Sequence, residues 1–238
     1  MRLDEVQSMN KIPIVAVLIL GSIIAILNQT LLATAIPHIM TELNITESTA
    51  QWLTTVFMLV NGIMVPITAF LIEKFTTRHL FFGAMGLFLF GTVIAIISPN
   101  FSTLLVGRIF QASGAGIMMP LMQTILLIIY PVEKRGQIMG TVGLVIAFAP
   151  AIGPTLSGYI VDNFPWKTVF YIILVIGIMD IIAAWFILKN VTQRTFPKVD
   201  VLSIILSTFG FGGFLYGFSM AGASGWGSMP VLVSIPVG

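Results

Sequence analysis

The sequence contains no cysteine among its 238 residues. Disulfide bonds, thiolate metal sites and cysteine nucleophiles are therefore excluded. Histidine is almost as scarce, and the two that occur, His38 and His79, are too far apart along the chain to suggest a zinc site. The sequence also lacks a G-x-x-x-x-G-K-[ST] nucleotide-binding motif. From these absences we expect no metal, no cofactor and no ATP site.

Charged residues are also scarce. Asp, Glu, Lys and Arg make up 8% of the chain, whereas about a quarter of the residues in a soluble domain are charged. The net charge of +2 does not indicate a nucleic-acid partner. Hydrophobic residues make up 57% of the chain, which leaves too little polar surface to face water. The composition therefore predicts a membrane protein whose main partner is the lipid bilayer.

Long apolar runs recur along the whole chain. A helix needs about 20 apolar residues to cross the hydrocarbon core of a bilayer, and seven segments meet this requirement. They are Ile12–Ile36, Ala50–Ile72, Leu80–Ile97, Ser102–Ile129, Gly136–Ile160, Lys167–Leu188 and Val201–Ala221. An eighth run begins near Met229 and is too short to span. Because the connections are short, the pattern predicts an all-α polytopic membrane protein with antiparallel neighbouring helices.

Lysine and arginine predict the orientation of these segments. If the N-terminus lies in the cytoplasm, every basic residue except Arg108 and Lys167 falls on the cytoplasmic side. Arg108 then lies within the membrane and Lys167 outside. The opposite orientation would reverse this bias, against the positive-inside rule. We therefore expect a multi-pass protein of the bacterial cytoplasmic membrane with a cytoplasmic N-terminus.

Two ionisable residues fall inside predicted spans. Arg108 lies about two turns into the fourth segment, and Asp180 is the one carboxylate well inside a segment. A charge at membrane depth is costly unless it faces a polar cavity or a partner. Both residues are candidates for proton coupling, although arginine stays protonated and can only influence a nearby carboxylate. The alternative is structural: Arg108 pins two helices together, and Asp180 is capped by neighbouring polar groups.

Several polar and sulfur-containing side chains are candidates for lining a substrate cavity. These candidates are Asn28, Gln29, Asn61, Gln111, Met118 and Met122. Amide groups offer hydrogen bonds, and methionine adapts its shape to varied lipophilic ligands. Packing between helices is the alternative interpretation for each of them. With two embedded ionisable groups, an intramembrane enzyme is disfavoured, since it would need a catalytic cluster.

Small residues and proline recur every three or four positions in the fifth segment. They are Gly136, Gly140, Gly143, Ala147, Ala151, Pro154 and Gly158, with Pro150 between them. The spacing places the series on one helical face, and each proline removes a backbone hydrogen bond. Two interpretations are open: a bent structural helix, or a gate surface at which two bundles close against each other.

Four stretches resemble motifs of the major facilitator superfamily. "GLVIAFAPAIGPTLSG" (143–158) is similar to the antiporter signature of its drug exporters. "LLVGRIFQASGAG" (104–116) resembles the fourth-helix motif, and "AFLIEKFTTRHLF" (69–81) resembles the inner-loop motif more loosely. "ILNQTLLATAIP" (26–37) resembles the first-helix signature of the fourteen-helix drug:proton antiporters, the EmrB/QacA group. Its Asn-Gln-Thr form looks most similar to the lincomycin-resistance (LmrB) type.

The resemblance implies roles for particular residues. In the fifth segment it implies an antiporter gate that favours exchange over leak. The gate residues are Gly143, Ala147, Pro150, Gly153, Pro154 and Gly158. The inner-loop residues are Glu73, Lys74 and Arg78. Several relatives carry an aspartate where this chain has Asn28, so a proton-carrying role for the first helix is not expected here.

The resemblance also implies a function and a domain organisation. It implies multidrug efflux by proton-coupled antiport of lipophilic compounds through alternating access, and hence antibiotic resistance. Residues 1–190 would form the N-terminal six-helix bundle. Residues 191–238 would supply an inner loop, a linker helix and the start of an eighth helix. We expect an incomplete transporter whose C-terminal half is missing. The alternative is a membrane-inserted fragment that does not transport, or a half-transporter that associates with itself.

Overall fold

The computed structural model describes residues 11–191 together with residues 206, 210, 212–218, 220–221 and 225–237. Within this part of the chain, six helices are long and apolar enough to cross a membrane. They are α1 (Lys11–Leu43), α2 (Glu47–Lys74), α3 (Thr77–Ile97), α4 (Phe101–Ile129), α5 (Val132–Asn163) and α6 (Thr168–Ile187). The predicted all-α polytopic fold is confirmed.

The last two predicted segments fall in the later part of the chain. Of the predicted span Val201–Ala221, residues 206, 210, 212–218 and 220–221 are described, and they are helical. The others lie outside the described residues. The run that begins near Met229 forms a helix of nine residues, Met229–Val237, which is less than half the length needed to span.

Several helices extend beyond the ends that hydropathy predicts. The apolar pattern predicts that the first helix ends at Ile36, whereas α1 continues through Pro37 to Leu43. Ile39 is fully buried, so the extension still packs against the bundle. Hydropathy marks the part of a helix that lies in hydrocarbon, but a helix ends where its packing and hydrogen bonding end. The loop from α1 to α2 is consequently only residues 44–46.

Short polar turns start three of the helices. Thr46, Thr76 and Asn100 are the N-cap residues of α2, α3 and α4, and each accepts a hydrogen bond from a backbone N–H in the first turn. Such caps satisfy N–H groups that have no partner within the helix. The compact turns reverse the chain at each membrane surface, so consecutive helices run antiparallel.

The helices α1 and α4 provide the largest share of the buried core. α4 packs most extensively against α3 and α2, while α1 packs most extensively against α5 and α6. Large apolar side chains on α5 and α6 instead face outward: Leu144 is 68% exposed and Phe186 is 80% exposed. An outward apolar surface is expected of helices whose surroundings are lipid.

A glycine pair brings α3 and α4 into backbone contact. A Cβ atom at Gly91 would lie 2.5 Å from the carbonyl oxygen of Gly107 and 2.6 Å from the backbone nitrogen of Gln111. A Cβ atom at Gly107 would in turn lie 2.9 Å from the carbonyl oxygen of Gly91. Only residues without side chains permit this approach. The contact fixes the position of the next residue on α4, Arg108.

Hydrogen bonds from the α5–α6 turn tie one end of the bundle together. The indole nitrogen of Trp166 donates to Glu42 Oε2 at 2.8 Å, which joins this turn to the end of α1. Lys167 Nζ donates to the carbonyl oxygen of Ser98 at 2.7 Å, which joins it to the end of α3. Lys167, the basic residue predicted to lie outside the cytoplasm, therefore has a structural partner.

The glycine contact predicts a stability difference between two substitutions on α3. Gly91→Ala should lower the free energy of unfolding by about 1–3 kcal/mol, because the new methyl group meets backbone atoms that cannot move aside. Gly86→Ala is the matched control, since a Cβ atom there meets nothing within 4 Å. Reversible unfolding of the purified protein in mixed micelles measures both. Equal stability of the two variants would contradict the close contact.

Candidate functional site

Arg108 lies at the centre of a hydrogen-bonded group inside the bundle. Its guanidinium is fully buried, seven residues, or about 10 Å, from the start of α4. Nε donates to the backbone carbonyl of Leu53 on α2 at 3.2 Å. Nη1 donates to the side-chain oxygen of Asn28 on α1 and to Gln111 Oε1 at 2.9 Å. One side chain thus joins three helices.

The group extends to α3 and to an aromatic ring. Gln111 Nε2 donates to Thr92 Oγ1 at 2.9 Å, and Thr92 donates to the carbonyl oxygen of Phe88 at 2.9 Å. The ring of Phe57 on α2 faces the guanidinium, with its centroid 4.2 Å from the Arg108 Cζ atom. A desolvated cation over an aromatic face contributes about 2 kcal/mol. Arg108 is therefore held directly by groups on α1, α2 and α4, and Gln111 links this group to α3.

Two donor atoms in this group have no hydrogen-bond partner. They are Arg108 Nη2 and Asn28 Nδ2, and both are buried. The side-chain oxygens of Asn28 and Gln111 already accept from Arg108. No carboxylate of the described residues forms an ion pair with Arg108. The group therefore carries a positive charge that the described residues do not neutralise.

Asp180 on α6 occupies a separate position in the bundle. It is fully buried, and neither carboxyl oxygen has a hydrogen-bond partner. A Cβ atom at Gly21 of α1 would lie 3.1 Å from Asp180 Oδ2 and 3.2 Å from the methyl group of Met85, and would clash with the methyl group of Met118. Asp180 is therefore packed beside α1, among methionine methyl groups.

The structure does not bring Asp180 and Arg108 together. Asp180 lies beside Gly21 of α1, whereas Arg108 binds Asn28. Seven residues of helix separate these two α1 positions, a rise of about 10 Å. The two ionisable groups predicted to act in proton coupling are thus at different depths of the bundle, with no direct contact between them.

A small cavity lies between α1, α2 and α4. It has a volume of about 60 Å³. Its lining residues are Ser22, Ala25, Ile26, Gln29, Phe57, Asn61, Ala115, Met118 and Met119. Three of the predicted cavity residues, Gln29, Asn61 and Met118, are among them. Phe57 also covers the guanidinium of Arg108, and Met118 also packs beside Asp180. Phe57 therefore belongs both to the cavity lining and to the surroundings of Arg108, and Met118 belongs both to the lining and to the surroundings of Asp180.

The other three predicted cavity residues do not line the small cavity and are buried between the helices. Asn28 and Gln111 are fully buried and bind Arg108. Met122 is also fully buried, and its sulfur accepts a hydrogen bond from Ser22 Oγ at 3.5 Å. These residues support the wall and do not line the cavity in this structure.

Sequence reasoning missed Ser22 and Phe57 as lining residues. For Ser22 a signal existed, since Ser22, Ala25, Ile26 and Gln29 follow the i, i+3, i+4, i+7 spacing of one helical face. Phe57 offered no such signal, because it is one of 18 phenylalanines in an apolar chain. Its contact with Arg108 depends on how α2 is rotated against α4.

The proline-containing part of α5 packs against α1 at two positions. A Cβ atom at Gly153 would clash with the hydroxyl group of Thr30. One turn later, Ser157 Oγ donates to the carbonyl oxygen of Leu31 at 2.7 Å and accepts a hydrogen bond from Thr34. α5 remains helical through Pro150 and Pro154. The helix is thus fastened to α1 by its small and hydroxyl-bearing residues.

The other predicted gate residues point away from α1. Gly143, Ala147, Pro150 and Pro154 are exposed, and a Cβ atom at Gly158 would meet nothing within 4 Å. The small-residue face identified in the sequence is therefore mostly an outer surface of this bundle. That surface is free to meet lipid or a second bundle.

The predicted inner-loop residues differ in their contacts. Glu73 is exposed at the end of α2, and Lys74 Nζ lies 5.6 Å from the ring centroid of Phe70. Arg78 connects α3 to the end of α6: its Nη2 donates to the carbonyl oxygen of Trp185 at 3.1 Å, and its backbone N–H donates to Asn190 Oδ1 at 3.1 Å. Arg78 therefore fastens the bundle at this end.

A larger cleft lies at the C-terminal end of α1. It has a volume of about 360 Å³. Its lining residues are Pro37, His38, Thr41, Glu42, Phe164, Pro165 and Trp166. Glu42 is already bound to Trp166, and Thr41 donates to its own helix. We assign the site to the smaller cavity, because the buried unpartnered polar groups lie beside that one.

Comparisons with known proteins agree with this architecture. The sequence profile described as Major Facilitator Superfamily matches residues 18–237. The chain is 59% identical over 234 residues to the uncharacterized MFS-type transporter YcnB of Bacillus subtilis, covering 98% of this chain and 50% of that protein. It is 47% identical over 234 residues to the lincomycin resistance protein LmrB of the same organism, covering 98% and 49%.

A solved structure shows the same fold at low sequence identity. The crystal structure of the peptide transporter POT superposes with a TM-score of 0.71 at 13% identity, covering 99% of this chain and 53% of that chain. The chain spans about half the length of the curated relatives that it matches.

The contact between α5 and α1 predicts a selective effect of a larger side chain. Gly153→Val should push α5 away from Thr30, whereas Gly158→Val should be tolerated because that position faces open space. Since the chain has no cysteine, the pair Thr34→Cys and Ser157→Cys reports the helix separation by disulfide formation. We expect cross-linking to fall when Gly153→Val is added and to persist with Gly158→Val. Equal yields would contradict this packing.

Proposed function

Since this chain belongs to the Major Facilitator Superfamily, we propose that it forms one bundle of a proton-coupled exporter of lipophilic drugs. The superfamily consists of transporters, not enzymes. The observation that carries the proposal is Met118, which lines the cavity on one side and packs beside the unpartnered carboxyl group of Asp180 on the other. Met118 would then contact both the bound ligand and the surroundings of the proton-binding group, Asp180.

We assign proton exchange to Asp180. Ionisable residues inside membrane spans commonly mark proton pathways, and a carboxyl group can hold or release a proton as its surroundings change. Arg108 keeps its charge and contributes an electrostatic field. Gln29 and Asn61 offer hydrogen bonds to a compound in the cavity, and methionine supplies the soft wall that varied lipophilic compounds need.

A second six-helix bundle would complete the site. Drug-sized sites occupy about 300–1,000 Å³, so the cavity of about 60 Å³ provides only part of a wall. The half-length match to the relatives supports a partner bundle. Alternating access would rock the two bundles about a site near the membrane midplane. The exposed face of α5 that carries Pro150 and Pro154 would then act as the gate surface.

The domain boundaries follow from the same proposal. Residues 1–190 would form the bundle, and residues 191–238 would form the inner loop, a linker helix and the start of the next one. The likeness to the lincomycin resistance protein LmrB supports drug export as the activity. The small size of the cavity favours a second candidate: a chain of this length inserts into the membrane and does not transport, or it associates with itself as a half-transporter.

Dye efflux separates the two candidates. The 238-residue chain and a version joined to the second bundle of the LmrB relative are expressed in pump-deficient bacteria, with membrane levels checked by immunoblot. We expect the joined protein to export ethidium and a protonophore to abolish that export. Efflux by the 238-residue chain alone would exclude the non-transporting candidate. A joined protein that reaches the membrane at normal levels without exporting would contradict the proposal.

Removal of the buried carboxyl group should uncouple export from protons. Asp180→Asn keeps the size of the side chain but cannot release a proton, so we expect proton-driven export by the joined protein to fall at least about tenfold. Asp162→Asn is the matched control at the exposed end of α5. Proton uptake upon substrate addition, measured with a pH-sensitive dye in proteoliposomes, is the readout. Normal uptake by the Asp180 variant would assign this residue a structural role.

Loss of the buried guanidinium should abolish export without removing the protein from the membrane. Arg108→Ala deletes the contacts to α1 and α2 and the charge beside the cavity. We expect a loss of export of at least about a hundredfold, since several charge-assisted hydrogen bonds are lost. Lys134→Ala, at the exposed start of α5, is the control. Export by the Arg108 variant at the control's rate would overturn the assigned role.

A further inference from the structure

We propose that Arg108 and Asn28 form a binding site for an anionic group, supplied by the transported compound or by a small inorganic anion. The inference rests on the proposed function in so far as the anion belongs to a transported compound. It concerns what the buried polar group binds, which neither the family assignment nor the proton pathway specifies.

The hydrogen-bond donors around Arg108 outnumber the acceptors that bind them. Arg108 Nη2 and Asn28 Nδ2 are buried donor atoms without partners. The neighbouring side-chain oxygens, Asn28 Oδ1 and Gln111 Oε1, accept from Arg108 Nη1, and neither accepts from these two donors. Gln111 Nε2 is occupied by Thr92. What the site lacks is an acceptor, so a group that only donates hydrogen bonds would not satisfy it.

The positive charge of Arg108 also favours an anion. Arg108 is fully buried and forms no ion pair with the described residues. The ring of Phe57 and the three neutral oxygens that accept from Arg108 compensate only part of the desolvation cost. An anion at the unpartnered donors would neutralise the guanidinium and satisfy both nitrogen atoms. Hydrogen bonds of this charge-assisted kind are about twice as strong as neutral ones.

The cavity offers an anion a path to the guanidinium of Arg108. Gln29, next to Asn28 on α1, and Phe57 both line the cavity. Phe57 lies on the guanidinium, so rotation of its side chain would open the guanidinium to the cavity. An aromatic carboxylate would place its charge on Arg108 and extend its ring toward the cavity beside Met118. A chloride ion would occupy the donors alone.

Asn28 offers a substitution of nearly unchanged shape that tests the site directly. Asn28→Asp replaces the amide by a carboxylate that pairs with Arg108 and occupies the place of the anion. Asn28→Ala removes one donor and leaves the charge unpaired. Asn163→Asp is the matched control: it makes the same chemical change at the exposed end of α5.

Equilibrium dialysis of the purified 238-residue chain in lipid nanodiscs measures binding. The probes are radiolabelled benzoate and radiolabelled chloride. We expect saturable binding of at least one probe at one site per chain. Asn28→Asp should weaken that binding at least about tenfold, the effect of losing a charge-assisted contact. Asn28→Ala should weaken it about fivefold, and Asn163→Asp should leave it unchanged.

The two probes distinguish the source of the anion. Binding of benzoate indicates an anionic group carried by an organic compound, and binding of chloride alone indicates an inorganic anion. The absence of saturable binding of either probe overturns the proposal and assigns the donors to water. Equal binding by wild type and either Asn28 variant also overturns it. If Asn28→Asp does not fold, Asn28→Ala alone decides.

A thermal measurement gives an independent result. Without added anion, Asn28→Asp should unfold at a higher temperature than the wild type, because its carboxylate neutralises Arg108 within the protein. A lower unfolding temperature of Asn28→Asp would contradict the inference that the charge of Arg108 is uncompensated in the wild type.

Binding needs neither transport nor a proton gradient. Efflux without anion binding therefore refutes this inference alone, and anion binding without efflux refutes the proposed function alone.

Discussion

A guanidinium in an apolar interior must be surrounded by acceptors, and the rest of the bundle is arranged around this requirement. Removing a charged group from water costs several kcal/mol even after the surroundings relax. Arg108 therefore takes a backbone carbonyl from α2, side-chain oxygens from α1 and α4, and an aromatic face from Phe57. Because the acceptors come from different helices, satisfying one side chain fixes the mutual positions of α1, α2 and α4.

The first helix is the element that every part of the site shares. It carries Asn28 beside Arg108, Gly21 beside Asp180, and Gln29 in the cavity wall. Its Leu31 carbonyl accepts the hydrogen bond from Ser157 of α5. A small axial shift or rotation of α1 would thus change the surroundings of both ionisable groups and of the α5 contact together. Coupling between sites needs one element whose position both of them sense, and α1 meets that condition.

Six of the seven predicted spans, with Arg108 inside the fourth and Asp180 inside the sixth, could be predicted from sequence, because hydropathy and charge are properties of single segments. The ends of the helices were less predictable, as the continuation of α1 through Pro37 shows, since protruding turns are held by tertiary packing. The cavity was predicted in part. Gln29 and Asn61 line it, whereas Met122 lies behind Ser22. Which face of an apolar helix turns inward depends on its neighbours, and an apolar sequence does not encode that rotation locally.

The glycines of the bundle divide its mechanical stiffness unevenly. Gly91 and Gly107 place the backbones of α3 and α4 against each other, so separating these helices would break a continuous contact of main-chain atoms. Gly136, Gly140 and Gly143 on α5 face open space, and they lower the resistance of that helix to bending. The contact between α3 and α4 is therefore the stiffer part of the bundle, and the part of α5 that contains these glycines bends more readily. A force applied at the membrane surface would therefore bend this part of α5 before it separated α3 from α4.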